Sequence, residues 1–263
     1  MSFVVCSYNT LANAYIDPRY FPHVAVEHLQ PEWRMGALAD AIERRAAQIL
    51  CLQEVEKETF DVLKRRLAKS GYAGEYLKKA GERLDGCATF FDRRQFTLAD
   101  VRRVTYDDGT ADRAASGSVA LLLRLRHGAR SIGIASTHLK WESPTTPPEL
   151  RIGLRQARQM ISEIAAMAPA SDAWIACGDF NATVQTPTLE TFRAAGFVDT
   201  FAAHPDAFTC NSNEITKRID YLLHRGALTA SPHPVPPIHA TTPLPSLEQP
   251  SDHLAISATF EWQ

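Results

Sequence analysis

The sequence predicts an α/β fold of the sandwich kind, in which two sheets of mixed strand direction pack face to face with helices outside. Three observations carry this. Eight short apolar runs rich in β-branched residues recur along the 263 residues, and segments of helical period separate many of them. Between residues 87 and 139 the runs succeed one another in hairpin fashion, which argues for antiparallel pairing as well.

Taken in order, the runs are FVVCSYN (3–9), AQILCLQEV (47–55), CATFFD (87–92), SVALLLRL (118–125), SIGIASTHL (131–139), AWIACGDFN (173–181), RIDYLLH (218–224) and HLAISATFEW (253–262). Several are nearly continuous in apolarity, the pattern of strands covered on both faces. Four helices are expected between them. Trp33, Ala37, Leu38, Ala41 and Ile42 make one apolar stripe, Phe60, Leu63 and Leu67 a second, and Leu150, Leu154, Ala157, Ile161 and Ile164 a third. The fourth is marked by its ends: Thr186 as N-cap, Pro187 in the first turn and Gly196 just past the last. Repeated proline makes 231–250 a loop, expected at the surface or bordering a cleft.

No Gly/Ser linker or charge block divides the chain, so one domain over 1–263 is expected. With 45% apolar and 22% charged residues and a formal net charge of −2, it can bury a large core but has no global basic footprint. Nucleic-acid contact must be local. The longest apolar runs are strand-sized, and residues 1–16 lack the basic start and apolar core of a secretory signal, so a soluble cytoplasmic monomer without an obligate partner is expected. Cys6, Cys51, Cys87, Cys177 and Cys210 are dispersed without CxxC spacing and read as reduced core thiols.

Polar residues at the ends of the runs carry the chemistry. Asn9, Glu54, His138, Asp179, Asn181, Asp220, Asp252 and His253 all lie at or just beyond a predicted strand end, where residues distant in sequence converge on one edge. Oxygen donors without a cysteine cluster select a hard ion, Mg²⁺ with Mn²⁺ as substitute, over zinc. Glu54, after an apolar run, is the principal metal ligand. Asp179 acts on the nucleophilic water and Asn181 steadies it. Asp220 and His253 form a carboxylate–imidazole pair, and His138 is a second imidazole for phosphoryl oxygens. The remaining histidines, His127 among them, read as surface residues.

The elements SYNTLA, WR, LCLQEVE, LDGCATFF, STHLKW, CGDFN, FT, RIDYL and SDH follow one another from Ser7 to Leu254. In that order they resemble the endonuclease/exonuclease/phosphatase superfamily, most of all its deadenylase-type branch, the relatives of the CCR4 nuclease, nocturnin and the Angel proteins. The resemblance implies a DNase I-like, four-layer fold. It places metal ligands on Asn9 and Glu54, with Asp179, Asn181 and Asp252 at a second ion, and the Asp–His pair on Asp220 and His253. It also implies a Mg²⁺-dependent phosphoesterase acting at an RNA or nucleotide 3′ end by in-line water attack, as a 3′ exonuclease. The alternatives are a phosphatase removing a terminal, 2′ or 2′,3′-cyclic phosphate, and a catalytically inactive RNA- or protein-binding module. The inositol-phosphatase branch has a Trp-Cys-Asp-Arg element where this chain reads EITKRIDYLL, which argues against a phosphoinositide substrate.

Substrate contacts are expected from Trp141 and Phe208 as base platforms, and from Lys217 and Arg218 as phosphate partners. Where deadenylase relatives stack adenine on an aromatic, this chain has Glu214, Ile215 and Thr216. Arg151, Arg155 and Arg158 lie along one helix face, and Arg83 and Asp85 precede GCATFF; these are lesser candidates.

Overall fold

Residue parity along the strands sets the arrangement seen in a computed structural model, which describes all residues except 111–113, 144, 148–149 and 169–170. The chain runs β1 (Ser2–Asn9), α1 (Pro31–Arg44), β2 (Ile49–Glu56), α2 (Lys57–Lys69), β3 (Tyr72–Lys78), β4 (Asp85–Asp92), β5 (Thr97–Thr105), β6 (Val119–His127) and β7 (Arg130–His138). It continues through α3 (Ile152–Met167), β8 (Ala173–Asp179), α4 (Pro187–Ala194), β9 (Val198–Asp199), β10 (Asp220–Gly226), β11 (Leu228–Pro232) and β12 (Ile256–Trp262).

Two six-stranded sheets result, ordered β11-β12-β1-β2-β4-β3 and β5-β6-β7-β8-β10-β9. The pairs β1–β2 and β7–β8 are parallel and the rest antiparallel. Alternate side chains of each inner strand point opposite ways. Phe3, Val5, Ile49, Cys51, Leu121, Leu123, Ile132, Ile134, Ile175 and Cys177 fill the space between the sheets. Their neighbours Tyr8, Leu50 and Leu52 meet α1 and α2 on one outer face, while Leu122, Trp174 and Ala176 meet α3 and α4 on the other. The mixed four-layer sandwich is the expected fold class. Truncating a fully buried leucine such as Leu121 to alanine costs about 2–5 kcal/mol.

The elements depart from expectation where periodicity was weak. β3 and β5 are edge strands of mostly half-buried or exposed residues, Glu75, Lys78, Asp100, Arg102 and Arg103 among them, so neither makes an apolar run. α3 begins at Ile152, which leaves Leu150 outside the stripe and 59% exposed. His127 is not a surface residue: it is buried edge-on against Phe3 and accepts a hydrogen bond from Trp262 Nε1 at 3.0 Å. All five cysteines are buried and free. In the proline-rich loop, Ile238 and Leu244 form a small cluster with Leu254, and Phe208 packs against it.

Candidate active site

The inner row of each central strand turns polar at the same end. Phe3, Val5 and Ser7 lead to Asn9; Ile132, Ile134 and Ser136 to His138; Ala173, Ile175 and Cys177 to Asp179. In β10, Leu222 faces inward and so does Asp220, paired in register with Asp179, which in turn pairs with His138. Period two thus brings four residues from both sheets to one edge. Glu54 lies on the wrong parity. A bulge between Leu52 and Val55, with Glu54 at φ +55°, swings its carboxylate to the same edge. Gly178 makes room for this edge, since a Cβ there would lie 1.8 Å from the Thr137 carbonyl oxygen.

The Asn9 Nδ2 donates to both Glu54 Oε1 and Asp179 Oδ2, each at 3.0 Å, while its Oδ1 accepts from the Leu11 N–H at 3.1 Å. Glu54 Oε2 accepts from the Ala12 N–H at 3.0 Å, and Asp179 Oδ1 from the Asn181 N–H at 2.8 Å. Asp220 Oδ2 pairs with His253 Nδ1 at 2.8 Å, and His253 Nε2 stands 3.7 Å from Asp179 Oδ2. Single donor atoms of Asp179, Asp220 and His253 all lie within 4.8 Å of one another. On the opposite flank, His138 Nδ1 faces Lys79 Nζ at 3.2 Å and Nε2 faces the Asn181 amide at 3.0 Å. Lys79 is also paired with buried Asp85 at 2.7 Å, and Asp85 accepts from the Tyr15 hydroxyl at 2.6 Å.

Burial, and then the neighbouring Asp220 charge, push the Asp179 carboxyl up to about 7. Glu54 is raised in the same way by burial and by Asp252. Burial alone would pull the His253 imidazole down, but the Asp220 charge and hydrogen bond outweigh it and hold it well above the usual range. His138 goes the other way. Burial and the Lys79 ammonium hold it well below, and an imidazolium would set N–H groups against donors on both sides. These groups open into a cleft of about 940 Å³ whose lining includes Glu54, His138, Asp179, Asn181 and His253.

Residues 6–253 match the profile of the Endonuclease/Exonuclease/phosphatase family. The chain belongs to this family. Endonucleases, exonucleases and phosphatases all hydrolyse phosphoesters, so membership makes the chain a phosphoester hydrolase. It is 29% identical over 201 residues to carbon catabolite repressor protein 4 homolog 3 of Arabidopsis thaliana, covering 73% of this chain and 42% of that protein. It is 32% identical over 197 residues to protein angel homolog 2 of Mus musculus, covering 70% and 36%. The chain thus spans about two fifths of the length of these curated relatives. Among solved structures it superposes on ANGEL2, described as a 2′,3′-cyclic phosphatase, with a TM-score of 0.85 at 22% identity, over 99% of this chain and 95% of that one.

In this member of the endonuclease/exonuclease/phosphatase family the expected residues are not all placed alike. Asn9 and Asp220 are buried behind the cleft surface, at 0% and 1% exposure. Asp252 is half-buried and is not among the cleft-lining residues, though its charge acts on Glu54 and Arg34. Trp141, Phe208, Lys217 and Arg218 line the cleft, Trp141 with 57% of its surface exposed. The expectation for Arg218 changes, because its guanidinium makes a two-pronged pair with Asp199 at 3.0 and 2.8 Å and lies 5.0 Å from the Tyr221 ring. Both nitrogens that would grip a phosphate are committed. The proline-rich loop, expected over 231–250, begins only after Pro232, because Ser231 and Pro232 still pair with β12 as the end of β11, and it contributes nothing to the cleft lining.

Of the arginines expected along one helix face, Arg155 on α3 donates to the Asp108 carbonyl, whereas Arg151 stands just before the helix and lines the cleft. Tyr15, Lys79 and Gln156 were missed from sequence. Gln156 is fully buried, accepts from the Lys140 N–H at 2.8 Å and donates to the Asp108 carboxylate, fixing the strand end after His138. A polar residue in the apolar stripe of a helix was its only signal. No helix among the described residues is long and apolar enough to cross a membrane.

Proposed function

We propose that the protein hydrolyses a phosphoester at the 3′ end of RNA or of a nucleotide by in-line attack of water, without a covalent enzyme intermediate, as a 3′ exonuclease of deadenylase type. The observation that carries this is the meeting of Glu54 and Asp179 on the Asn9 amide, 3.0 Å from each, beside the buried Asp220–His253 pair.

The donor set fits a hard divalent ion. It offers carboxylate and amide oxygens and no thiolate, and two carboxylates with raised pKa values sharing one amide are relieved by a cation. Glu54 and Asn9 would hold Mg²⁺, or Mn²⁺ in its place, with Asp179, Asn181 and Asp252 available to a second ion. Asn9 turns its nitrogen to the carboxylates, so ligation through Oδ1 requires the amide to rotate and give up its bond from Leu11. When bound, such an ion polarises phosphoryl oxygens and offsets the charge that builds on them.

Asp179, poised near neutrality, takes the proton of the attacking water, and the Asn181 N–H keeps that carboxylate aimed. His253, held protonated by Asp220, directs Nε2–H at a phosphoryl oxygen. His138, kept neutral beside Lys79, serves the opposite side of the phosphoryl group. The exposed Trp141 indole offers a stacking face for a base, Phe208 a second apolar wall, and Lys217 a cation for the adjoining phosphate.

A second reading is opening of a 2′,3′-cyclic phosphate. It is favoured by Glu214, Ile215 and Thr216 standing where a deadenylase would offer an aromatic, and by the likeness to ANGEL2. Turnover with Mg²⁺ or EDTA on oligoadenylate, on RNA with free, phosphorylated and cyclic-phosphate ends, and on 2′-phosphorylated dinucleotides tests both. Release of AMP from oligoadenylate supports the exonuclease, and ring-opened ends or inorganic phosphate the alternative. Mg²⁺-independent inertness on every substrate supports a binding module.

A further inference from the structure

The WR element of the sequence has no part in the chemistry described above, yet its arginine is 2% exposed beneath the site. From α1, Arg34 Nη2 donates to the carbonyls of Thr10 and Leu11, each at 2.7 Å, and Nη1 to Asn13 Oδ1 at 2.6 Å. Its Nε donates to the Pro250 carbonyl at 3.1 Å, 216 positions away. Each partner adjoins the reaction centre. Thr10 and Leu11 follow Asn9, the Ala12 N–H caps Glu54, and the Asn13 amide donates to Glu56. Pro250 leads into Ser251, whose hydroxyl donates to the Asn9 carbonyl at 2.7 Å and accepts from the His253 N–H at 3.2 Å. The charges acting on the guanidinium are chiefly Asp252, then Glu54 and Glu56.

We propose that Arg34 is a positioning residue for the reaction. Its planar fork clamps the segment carrying Asn9 and capping Glu54 to the segment carrying Asp252 and His253, so that the groups offered to the metal from the two ends of the chain stay in register with one another. A lysine cannot replace it, because one ammonium cannot reach four acceptors spread around a plane. The inference rests on the metal-dependent reading above and adds to it a residue that touches neither ion nor substrate.

The test compares wild type, Arg34→Lys and Arg34→Ala by calorimetric Mg²⁺ and Mn²⁺ binding without substrate, by kcat and KM on the best substrate, and by addition of guanidinium at tens of millimolar. Arg34→Ala is expected to weaken ion binding on the order of 10-fold or more and to lower kcat with KM nearly unchanged, with guanidinium restoring both losses. Guanidinium is expected to leave Glu54→Ala unchanged. Arg34→Lys falls between, and decides the matter if Arg34→Ala does not fold. Wild-type ion binding in the folded variant, or loss in KM alone, overturns the inference. A wild type that binds neither ion overturns the metal reading and this inference with it, whereas a variant binding as well as a competent wild type overturns only the role of Arg34.

Discussion

The Asn9 amide nitrogen lies 3.0 Å from the Asp179 carboxylate across 170 positions of sequence, and the same nitrogen lies 3.0 Å from Glu54. One sheet supplies Asn9 and Glu54, the other Asp179, so the centre exists only when the two sheets are packed together.

Glu54→Gln is therefore expected to keep the fold and lose the reaction. The change preserves volume and leaves an amide oxygen for the Ala12 N–H, but removes the charge that would hold the cation. A fall in kcat of about 10³-fold follows from losing several kcal/mol of charge stabilisation. The rise in melting temperature on adding Mg²⁺ to wild type should vanish in the variant. Unchanged turnover with an intact circular dichroism spectrum would remove Glu54 from the site.

Asp179 makes the metal-free fold sensitive to pH. Its carboxyl rises from 3.8 to about 7 on folding, so its contribution to stability is full below pH 3.8 and is lost as pH rises through about 7. Over that window the unfolded chain ionises and the folded one resists. In EDTA, Asp179→Asn should gain on wild type by several degrees in melting temperature between pH 4.5 and 7.5, since each kcal/mol is worth roughly 2–4 °C in a chain of this size. Mg²⁺ should close the gap by stabilising wild type alone. A difference that stays constant with pH would show that Asp179 is not the strained group.

Much of this site is legible as parity. Asn9, His138, Asp179 and Asp220 fall on the inward positions of strands whose other inward residues are apolar, and alternation alone collects them. Glu54 needs a bulge that no local pattern announces. Lys79 and Gln156 were illegible, and Arg34 was legible only as part of the WR element and not in its role, because a buried polar side chain is explained by its partner, and theirs are distant: Arg34 reaches Pro250, Lys79 reaches His138, and Gln156 reaches Asp108. The edge strands β3 and β5 escaped for the opposite reason, since half-exposed strands lack an apolar run.

Lys217 and Arg218 are adjacent cations that sequence cannot tell apart, and the structure separates them. Arg218 and its partner Asp199 are 7% and 9% exposed, while Lys217 lines the cleft with its side chain half-buried. Arg218→Ala strands a largely buried carboxylate and should cost about 3–5 kcal/mol of stability, read by urea melts. Lys217→Ala should leave the melt unchanged and raise KM severalfold, more at low salt than at high. The reverse pattern would return Arg218 to the list of substrate contacts.

Trp141 separates a base-reading enzyme from one that reads only the phosphate. Its indole is 57% exposed on the cleft wall, two peptide bonds beyond Leu139, whose carbonyl accepts from the Asn181 amide, so the ring stands close to the reaction centre without being part of it. An exposed tryptophan costs little to remove, and Trp141→Ala should melt as wild type does. A base stacked on the ring is worth about 1–3 kcal/mol, which predicts a rise in KM of roughly 5- to 150-fold with kcat changed little. Trp141→Phe should recover most of the loss because any aromatic face stacks. If Trp141→Ala cleaves oligoadenylate with wild-type KM, no base rests on this wall, and recognition passes to the sugar and the phosphate.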